Sequence, residues 1–288
     1  MKLLRFGEPG QEQWGVLDGQ GHIRNLADAL VGIIGDELSP QWLAQLAAHD
    51  ISALPFLKTE RRIGPPIPRP LNFVCIGLNY ADHAAETGGK IPREPIIFLK
   101  SLSAFSGPYD DILIPRGSKK TDWEVELGVV IGTKAASVPE HLAMDYVAGY
   151  CVVNDVSERE YQTERAGTWD KGKGCDTFGP VGPYLVTKDE VPDPQNLNLW
   201  TEVDGVRMQD GNTKTMVFGV QTLVSYVSHF ITLHPGDIIA TGTQPGVGMG
   251  RKPEPVYLRP GQRLKLGVQG LGEQRYRTIS REGAVHDH

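Results

Sequence analysis

Two glutamates separated by one residue, Glu124 and Glu126, have the spacing that a shared site requires. They lie in the apolar run 123–132, whose Val, Leu and Ile residues predict a β-strand. Side chains at i and i+2 leave the same face of a strand, so both carboxylates would point the same way. Adjacent carboxylates repel each other unless a proton, a cationic side chain or a metal ion lies between them. The pair alone is equally compatible with a solvated strand face.

A third carboxylate, Asp155, stands where the apolar run 147–153 ends, which is a common position for a functional side chain. Ser157 and Glu160 follow with the capping-box spacing of a helix start, so Asp155 could instead help to cap that helix. Three carboxylates without paired Cys or His favour a hard cation, Mg²⁺ or Mn²⁺, over zinc. The sequence therefore predicts that these three carboxylates bind one such cation.

A histidine and a glutamate with helical spacing, His83 and Glu86, follow the apolar run 73–77. In a short helix they would be i,i+3 neighbours and could form a hydrogen-bonded acid–base dyad. Taken alone, the two residues are more often a surface pair.

The segment 169–180 is rich in glycine and basic, and Gly172 and Gly174 flank Lys173. Because glycine adopts backbone angles that other residues avoid, this pattern predicts a mobile loop that presents a cation to an anion. A solvated basic turn is the alternative. The segment lacks the Gly-Lys-Ser/Thr ending of a phosphate-binding P-loop. Further along, the exposed amides and hydroxyls of 241–250 could hold a carboxylate, although a plain turn would look similar.

Composition favours an enzyme with a large core over a nucleic-acid-binding or membrane protein. The chain has 288 residues and a net charge of −6, with both signs dispersed and no basic block. The first residues are interrupted by charge and glycine before a signal-type apolar run develops, and no stretch of 18 apolar residues occurs. The three cysteines are scattered, which fits a reducing cytoplasm.

Two regions are predicted along the chain, residues 1–66 and 67–288. The proline-rich stretch 64–70 is a candidate linker between them. Short apolar runs predict strands at 73–77, 95–99, 111–114, 123–132, 147–153, 180–186, 197–203, 236–241 and 262–268. Helices are predicted near 41–48 and over 220–233, where apolar residues recur at helical spacing.

In this order, the motifs resemble those of the fumarylacetoacetate hydrolase superfamily over roughly residues 70–275. They read Gly-x-Asn-Tyr-x-x-His-x-x-Glu at 77–86, Glu-x-Glu-Leu at 124–127, Asn-Asp-x-Ser-x-Arg-x-x-Gln at 154–162, Trp-x-x-Gly-Lys at 169–173 and Pro-Gly-Asp-Ile-Ile-x-Thr-Gly-Thr at 235–243. Gln244 stands where the family usually has proline. The sequences of 77–86 and 246–258 are similar to those of a bacterial branch of the family that acts on 2,4-diketo-3-deoxy sugar acids of the L-rhamnonate or L-fuconate type.

The resemblance implies a mainly β protein with some helix, in which a distorted β-roll catalytic domain (67–288) follows a small N-terminal α+β domain (1–66). It also implies a homodimer and one bound Mg²⁺ or Mn²⁺. The implied reaction is hydrolysis of the C3–C4 bond of a 2,4-diketo acid, giving pyruvate and a hydroxy acid such as lactate. An oxaloacetate-type decarboxylase and a catalytically silent metal-binding homologue are the alternatives.

The resemblance also assigns roles to individual residues. His83, oriented by Glu86, would deprotonate the attacking water, and Lys173 would hold the pyruvate enolate. Positions that contact the substrate in the family are occupied here by Tyr80, Arg159, Gln162, Lys173 and Thr243, and the metal ligands by Glu124, Glu126 and Asp155.

Overall fold

The computed structural model describes residues 1–82, 86, 90–166 and 168–281. Its strands are β1 (Lys2–Phe6), β2 (Gln13–Leu17), β3 (Ile23–Asn25), β4 (Phe73–Gly77), β5 (Ile96–Leu99), β6 (Phe105–Ser106), β7 (Ile112–Ile114), β8 (Thr121–Asp122), β9 (Val125–Ile131), β10 (Val147–Asn154), β11 (Ser157–Glu158), β12 (Gly179–Pro180), β13 (Leu185–Thr187), β14 (Asn198–Val203), β15 (Val206–Asn212), β16 (Ile238–Thr243), β17 (Arg263–Val268) and β18 (Gly272–Ser280). The α-helices are α1 (Pro40–Ala47), α2 (Arg159–Thr163), α3 (Asp170–Lys173) and α4 (Val220–Ser228). Short 3₁₀ helices cover Ile51–Ala53, Leu102–Ala104, Glu140–Tyr146, Lys188–Glu190, Thr213–Thr215 and Gly248–Gly250.

A nine-stranded mixed sheet forms the centre of the molecule, with the strand order β3-β2-β1-β13-β10-β9-β16-β4-β5. Every residue of β9 and of β10 is buried, as expected for strands written as continuous apolar runs. Along β9, Val129 and Ile131 pack into one core cluster and Val130 into another, because successive side chains leave opposite faces. The two faces of the sheet therefore carry separate cores.

The covering layers differ on the two faces. On one face, α4 and a second sheet of five strands, in the order β15-β14-β17-β18-β7, supply residues such as Leu223 and Leu266 to the core. On the other face, α1 packs Trp42 and Leu46 against the sheet. Ser39 caps α1 by accepting from the backbone N–H of Trp42, with Pro40 at the first helical position. The predicted class, mainly β with some helix, is confirmed.

Most of the predicted strands are present, with ends shifted by one or two residues, and the run 180–186 is divided between β12 and β13. The strands β15 and β18 were not predicted, because their sequences are rich in charged and polar residues. Helix 220–233 ends early, at Ser228. Pro235 disfavours helical geometry at the residue before it, and the segment between forms turns instead.

The N-terminal strands are continuous with the central sheet. Lys2 and Leu3 of β1 pair with Val186 and Leu185 of β13. The stretch 64–70 is largely buried, so it is packed against the protein and is not an exposed linker. The boundary at residues 66–67 remains a prediction. Within the described part of the chain, no helix has the length and apolar character needed to cross a membrane.

Candidate active site

Three buried carboxylates, which we call the carboxylate floor, converge at one end of the paired strands β9 and β10. Glu124 directly precedes β9, Glu126 is the second residue of β9, and Asp155 follows the last residue of β10. The antiparallel register brings them together, since the Asp155 N–H donates to the Glu124 carbonyl at 2.9 Å. Ligand oxygens of the three side chains all lie within 4.8 Å of one another. The structure thus joins the residues that the sequence analysis selected.

Three cationic side chains surround the carboxylate floor. The Lys173 Nζ donates to Glu124 Oε2 and to Asp155 Oδ2, each at 2.7 Å. Lys100 Nζ donates to the other oxygen of Asp155, to the Val156 carbonyl at 3.0 Å and to the Lys173 carbonyl at 2.8 Å. These three acceptors match the three N–H donors of an ammonium group.

Arg159 supplies the third cation. Its Nη2 lies 2.6 Å from Glu124 Oε1, and its Nε donates to Asp122 Oδ2 at 2.8 Å. Asp122 is itself buried, and its carboxylate also accepts from the N–H groups of Gly248 and Met249. Burial would lower the pKa of Arg159, but the charges of Glu124 and Asp122 outweigh it and raise that pKa. The guanidinium is therefore firmly held and permanently charged.

Glu126 differs from the other two carboxylates of the floor. Its hydrogen bond comes from the Gly242 N–H at 2.8 Å, and within the described residues it has no ion-pair partner within 4 Å. Burial, together with the charges of Asp155 and Glu124, raises the pKa of Glu126 well above its usual range. Such a carboxyl needs a proton or a further cation.

The residues present fit a divalent metal ion. All three floor residues offer hard oxygen ligands at close range, the donor set that Mg²⁺ and Mn²⁺ prefer. Among the described residues, Asp122 and the floor form a network of four buried carboxylates against three cationic side chains. A divalent cation would compensate the remaining charge and supply the partner that Glu126 lacks.

A cavity of about 240 Å³ opens above the floor. Glu124 and Glu126 of the floor line it, together with Gly77 and what we call the apolar wall, Ile76, Leu78, Phe98, Trp169 and Met249. Arg159, Gln162, Thr163, Lys173 and Thr243 also line it. Trp169 packs edge-on against Phe98, with 5.2 Å between ring centroids. A Cβ at position 77 would lie 2.5 Å from the indole, so only glycine at this position admits Trp169.

Of the residues expected to contact substrate, Gln162 and Thr243 face the cavity, but both have protein partners. Gln162 Oε1 accepts from Arg159 at 3.0 Å. The Thr243 hydroxyl donates to the Val125 carbonyl and accepts from Gln209, each at 2.8 Å. Thr243 therefore serves first to hold the strand that carries the floor.

The remaining candidates lie around the cavity. Tyr80 is fully buried and is not among the residues that line the cavity, and burial raises the pKa of its hydroxyl. Glu86 accepts from the Gly246 N–H at 2.9 Å, which ties it to the turn after β16. His83 lies outside the described residues, so the predicted His83–Glu86 dyad remains a prediction.

The segment around Lys173 forms a packed helical turn, and its predicted mobility stays a prediction. Residues 170–173 form the single-turn helix α3, and Lys173 is buried. A Cβ at position 172 would lie 2.5 Å from the Glu158 carbonyl, so Gly172 permits close packing of α3 against β11. Burial lowers the pKa of Lys173, but the charges of Asp155 and Glu124 outweigh this and raise it. Lys173 is therefore protonated and acts as a hydrogen-bond donor.

Sequence reasoning missed Lys100, Asp122 and most of the apolar wall. The signal for Lys100 was a lone cation directly after the apolar run 95–99, and Asp122 directly precedes the run that carries the glutamates. No sequence signal distinguishes wall residues such as Phe98 from other core residues. Gln244, the departure from the family pattern, is fully buried, with its Nε2 3.2 Å from the Leu199 carbonyl.

Comparison with known proteins agrees with this geometry. Residues 72–279 match the model of the fumarylacetoacetate (FAA) hydrolase C-terminal family. The chain belongs to the fumarylacetoacetate hydrolase family. A Burkholderia multivorans relative, which bears a provisional hydrolase name without a stated substrate, is 62% identical over 274 residues and covers 95% of this chain and 97% of its own. Enzymes of this family generally use a divalent metal.

Two solved structures of the family show how its activities vary. The fumarylacetoacetate hydrolase of Exiguobacterium antarcticum is similar with a TM-score of 0.83 and 34% identity, covering 98% of this chain and 100% of that one. The 5-carboxymethyl-2-hydroxymuconate delta-isomerase of Mycobacterium smegmatis has a TM-score of 0.75 and 30% identity, covering 98% and 99%. Family membership supports a hydrolase here, and the fold alone is shared with isomerases.

Proposed function

We propose that this protein is a metal-dependent hydrolase that cleaves the C3–C4 bond of a 2,4-diketo acid, giving pyruvate and a second carboxylic acid. The observation that carries the proposal is the position of Lys173. Its ammonium group lines the cavity and lies 2.7 Å from both Glu124 and Asp155. The neighbouring carboxylate Glu126 has no ion-pair partner within 4 Å among the described residues. This arrangement suits the stabilisation of negative charge on a bound oxygen.

The chain's own residues have distinct roles in the proposed reaction. Glu124, Glu126 and Asp155 would hold the metal ion, which would act as a Lewis acid on the 2-keto oxygen. Lys173 would donate a hydrogen bond to the same oxygen as negative charge develops there. Arg159 keeps Glu124 in place and charged.

The bond changes balance without any further reactant than water. His83 would take a proton from water as the hydroxide adds to C4, and the role predicted for Glu86 is to orient His83. The C3–C4 bond then breaks, its electrons form the pyruvate enolate beside Lys173, and a proton returned to C3 completes pyruvate. The former C4 carbonyl leaves as a carboxylic acid that carries one oxygen from water.

Within this class we propose a 2,4-diketo-3-deoxy sugar acid of the L-rhamnonate or L-fuconate type, for which the second product is a hydroxy acid such as lactate. The support is the sequence of 77–86 and 246–258, and the short cavity is compatible with it. We also propose that the protein acts as a homodimer, which light scattering coupled to size-exclusion chromatography tests.

Isotope-labelled water distinguishes the proposed activity from the other activities considered. The protein is incubated with Mg²⁺ in ¹⁸O-water and either an acylpyruvate or oxaloacetate, and the products are identified by mass. Hydrolysis predicts pyruvate and a partner acid containing one ¹⁸O. Decarboxylation of oxaloacetate without acylpyruvate cleavage, an isomerised product of unchanged mass, or no turnover by metal-loaded protein would each contradict the proposal. Lys120→Met, which alters an exposed ion pair with Glu164, is a control expected to behave as wild type.

A further inference from the structure

The lining of the cavity has a charged part and an uncharged part. Glu124, Glu126, Arg159 and Lys173 form the charged part, and the apolar wall with Gln162, Thr163 and Thr243 forms the uncharged part. On the described lining, the cationic groups are Arg159 and Lys173. Both already neutralise carboxylates of the floor and of Asp122. No described lining residue is left to neutralise a second anionic group on a bound molecule.

An anionic group placed against the apolar wall, whose side chains are mostly half-buried, would lose part of its hydration without gaining a cationic partner. Burying an unpaired charge is far more costly than burying a neutral polar group of similar size. Gln162 offers an uncharged polar group. Its Oε1 accepts from Arg159, whereas its amide N–H groups have no partner among the described residues. That amide can donate to a hydroxyl or to the 4-keto oxygen of a ligand.

The size of the cavity also restricts the ligand. Its volume of about 240 Å³ is below the roughly 300–1,000 Å³ of pockets for drug-sized ligands. The pyruvate half of a substrate would lie against the charged part of the lining. The space left for the acyl tail is small and is lined in part by Trp169 and Met249. Trp169 is fixed by Phe98 and by Gly77, so it does not yield easily to a longer ligand.

We propose that Trp169 and Met249 are specificity-determining residues that select a 2,4-diketo acid with one carboxylate and a short, uncharged acyl tail. This inference rests on the proposed function. Trp169 belongs to a motif of the whole family, so Met249 is the residue that would separate this protein from family members that act on substrates with two carboxylates. A methyl or hydroxyethyl tail fits, whereas a tail that ends in a carboxylate does not.

A matched pair of substrates tests the charge of the tail. Succinylpyruvate and its neutral isostere 4-methylpentanoylpyruvate differ only at the tail's end, and acetylpyruvate represents a short tail. With Mg²⁺, we expect kcat/KM to be highest for acetylpyruvate and at least about ten-fold higher for the neutral isostere than for succinylpyruvate. Equal values, or a preference for succinylpyruvate, would overturn the inference.

A charge introduced on the wall tests the residues named. Met249→Arg should move the ratio of kcat/KM for succinylpyruvate to that for the isostere by about ten-fold toward succinylpyruvate. Met249→Leu, which keeps the wall apolar, should keep the wild-type preference. If Met249→Arg folds and the ratio does not move, Met249 does not contact the tail.

Binding measurements keep the inference separate from the proposed reaction. Calorimetry with Mn²⁺ compares 2-oxoglutarate with its neutral isostere 5-methyl-2-oxohexanoate, neither of which can be cleaved as an acylpyruvate. If no acylpyruvate is hydrolysed but the neutral acid binds more tightly, the reaction is wrong and the tail selection stands. If acylpyruvates are hydrolysed and 2-oxoglutarate binds at least as tightly, the selection is wrong and the reaction stands.

Discussion

The carboxylate floor and the apolar wall of the same cavity are held in place in different ways. Each floor carboxylate is fixed by hydrogen bonds or ion pairs. Their partners lie on separate parts of the chain, namely Lys100 directly after β5, and residues of α2, α3 and β16. The wall is fixed by packing, as where Trp169 fills the space left by Gly77. Polar networks tolerate few substitutions because each lost partner leaves a buried group unsatisfied. Apolar packing tolerates exchanges of similar volume. The floor should therefore be common to related enzymes, whereas wall positions outside the family motifs, such as Met249, should vary with the substrate.

The largest effect on turnover is expected at Glu126, the floor carboxylate that has no ion-pair partner among the described residues. Glu126→Gln removes one ligand charge while keeping the side chain's shape, so Mg²⁺ binding should weaken strongly. We expect turnover of an acylpyruvate to fall by about 1,000-fold or more, which corresponds to about 4 kcal/mol of transition-state stabilisation. Calorimetry with Mn²⁺ and steady-state kinetics measure the two quantities. Full activity in this variant, or in enzyme treated exhaustively with EDTA, would mean that the floor binds no catalytic metal.

Lys173 should affect chemistry more than metal binding. Lys173→Met keeps the length of the side chain and removes the donor to the developing enolate, so kcat should fall by about 100-fold. Since the variant also removes a positive charge beside Glu124 and Asp155, Mn²⁺ affinity should change little or increase. A parallel loss of metal affinity and kcat would instead make Lys173 a structural support of the floor.

Lys100 separates structural support of the floor from direct participation in the reaction, because it contacts Asp155 but does not line the cavity. Lys100→Met would leave Asp155 with one cation fewer and two buried carbonyls without a donor. Removing one partner of a buried ion pair typically costs about 3–5 kcal/mol of unfolding free energy. We expect a loss of that size in urea unfolding, and metal affinity or activity about ten- to hundred-fold lower, as for other groups that orient metal ligands.

The matched control for Lys100 is Lys120→Met at the exposed pair with Glu164, which should leave stability nearly unchanged. A Lys100→Met protein as stable as the Lys120→Met protein would show that the buried network around Asp155 is replaceable.

The pH dependence of stability should report on Glu126 when the metal is removed. Burial and the neighbouring Asp155 and Glu124 raise its pKa above the ordinary value of 4.5, so the folded state holds a proton that the unfolded state releases. The resulting stability is fully present below about pH 4.5 and is lost as pH rises through the folded-state pKa. We expect Tm of EDTA-treated protein to fall as the pH rises above the ordinary carboxyl pKa of 4.5 and Mg²⁺ to restore it. Glu126→Gln should show a weaker fall and little response to Mg²⁺.

The same contrast explains which parts of the molecule could be predicted from the sequence. Glu124, Glu126 and Asp155 stand at the ends of apolar runs, where charge is conspicuous, and strand periodicity then places them together. Lys100 was missed because one lysine after one strand has no sequence partner, and its acceptors lie 55 and 73 positions away. The strand β18 was missed because only Gln274, Tyr276 and Thr278 of its alternating residues are buried. The glycines beside Lys173 suggested conformational freedom, and the sequence did not show that Gly172 permits close packing of α3 against β11; the mobility of the segment stays a prediction.

The smallest effect is expected on the wall, where Trp169→Phe removes ring volume without adding charge. Phe would keep an apolar contact with Phe98 but leave space beside Gly77, where the indole now lies. The backbone of Trp169 would still accept the N–H groups of Gly172 and Lys173, so α3 and the floor should remain in place. We therefore expect kcat for acetylpyruvate to change only a few-fold, while kcat/KM for the longer neutral isostere 4-methylpentanoylpyruvate rises relative to it by about three- to ten-fold. Steady-state kinetics on the two substrates measure this ratio. If the ratio stays at the wild-type value while the variant folds and binds Mn²⁺ normally, the tail does not reach Trp169, and the length limit must lie elsewhere in the cavity.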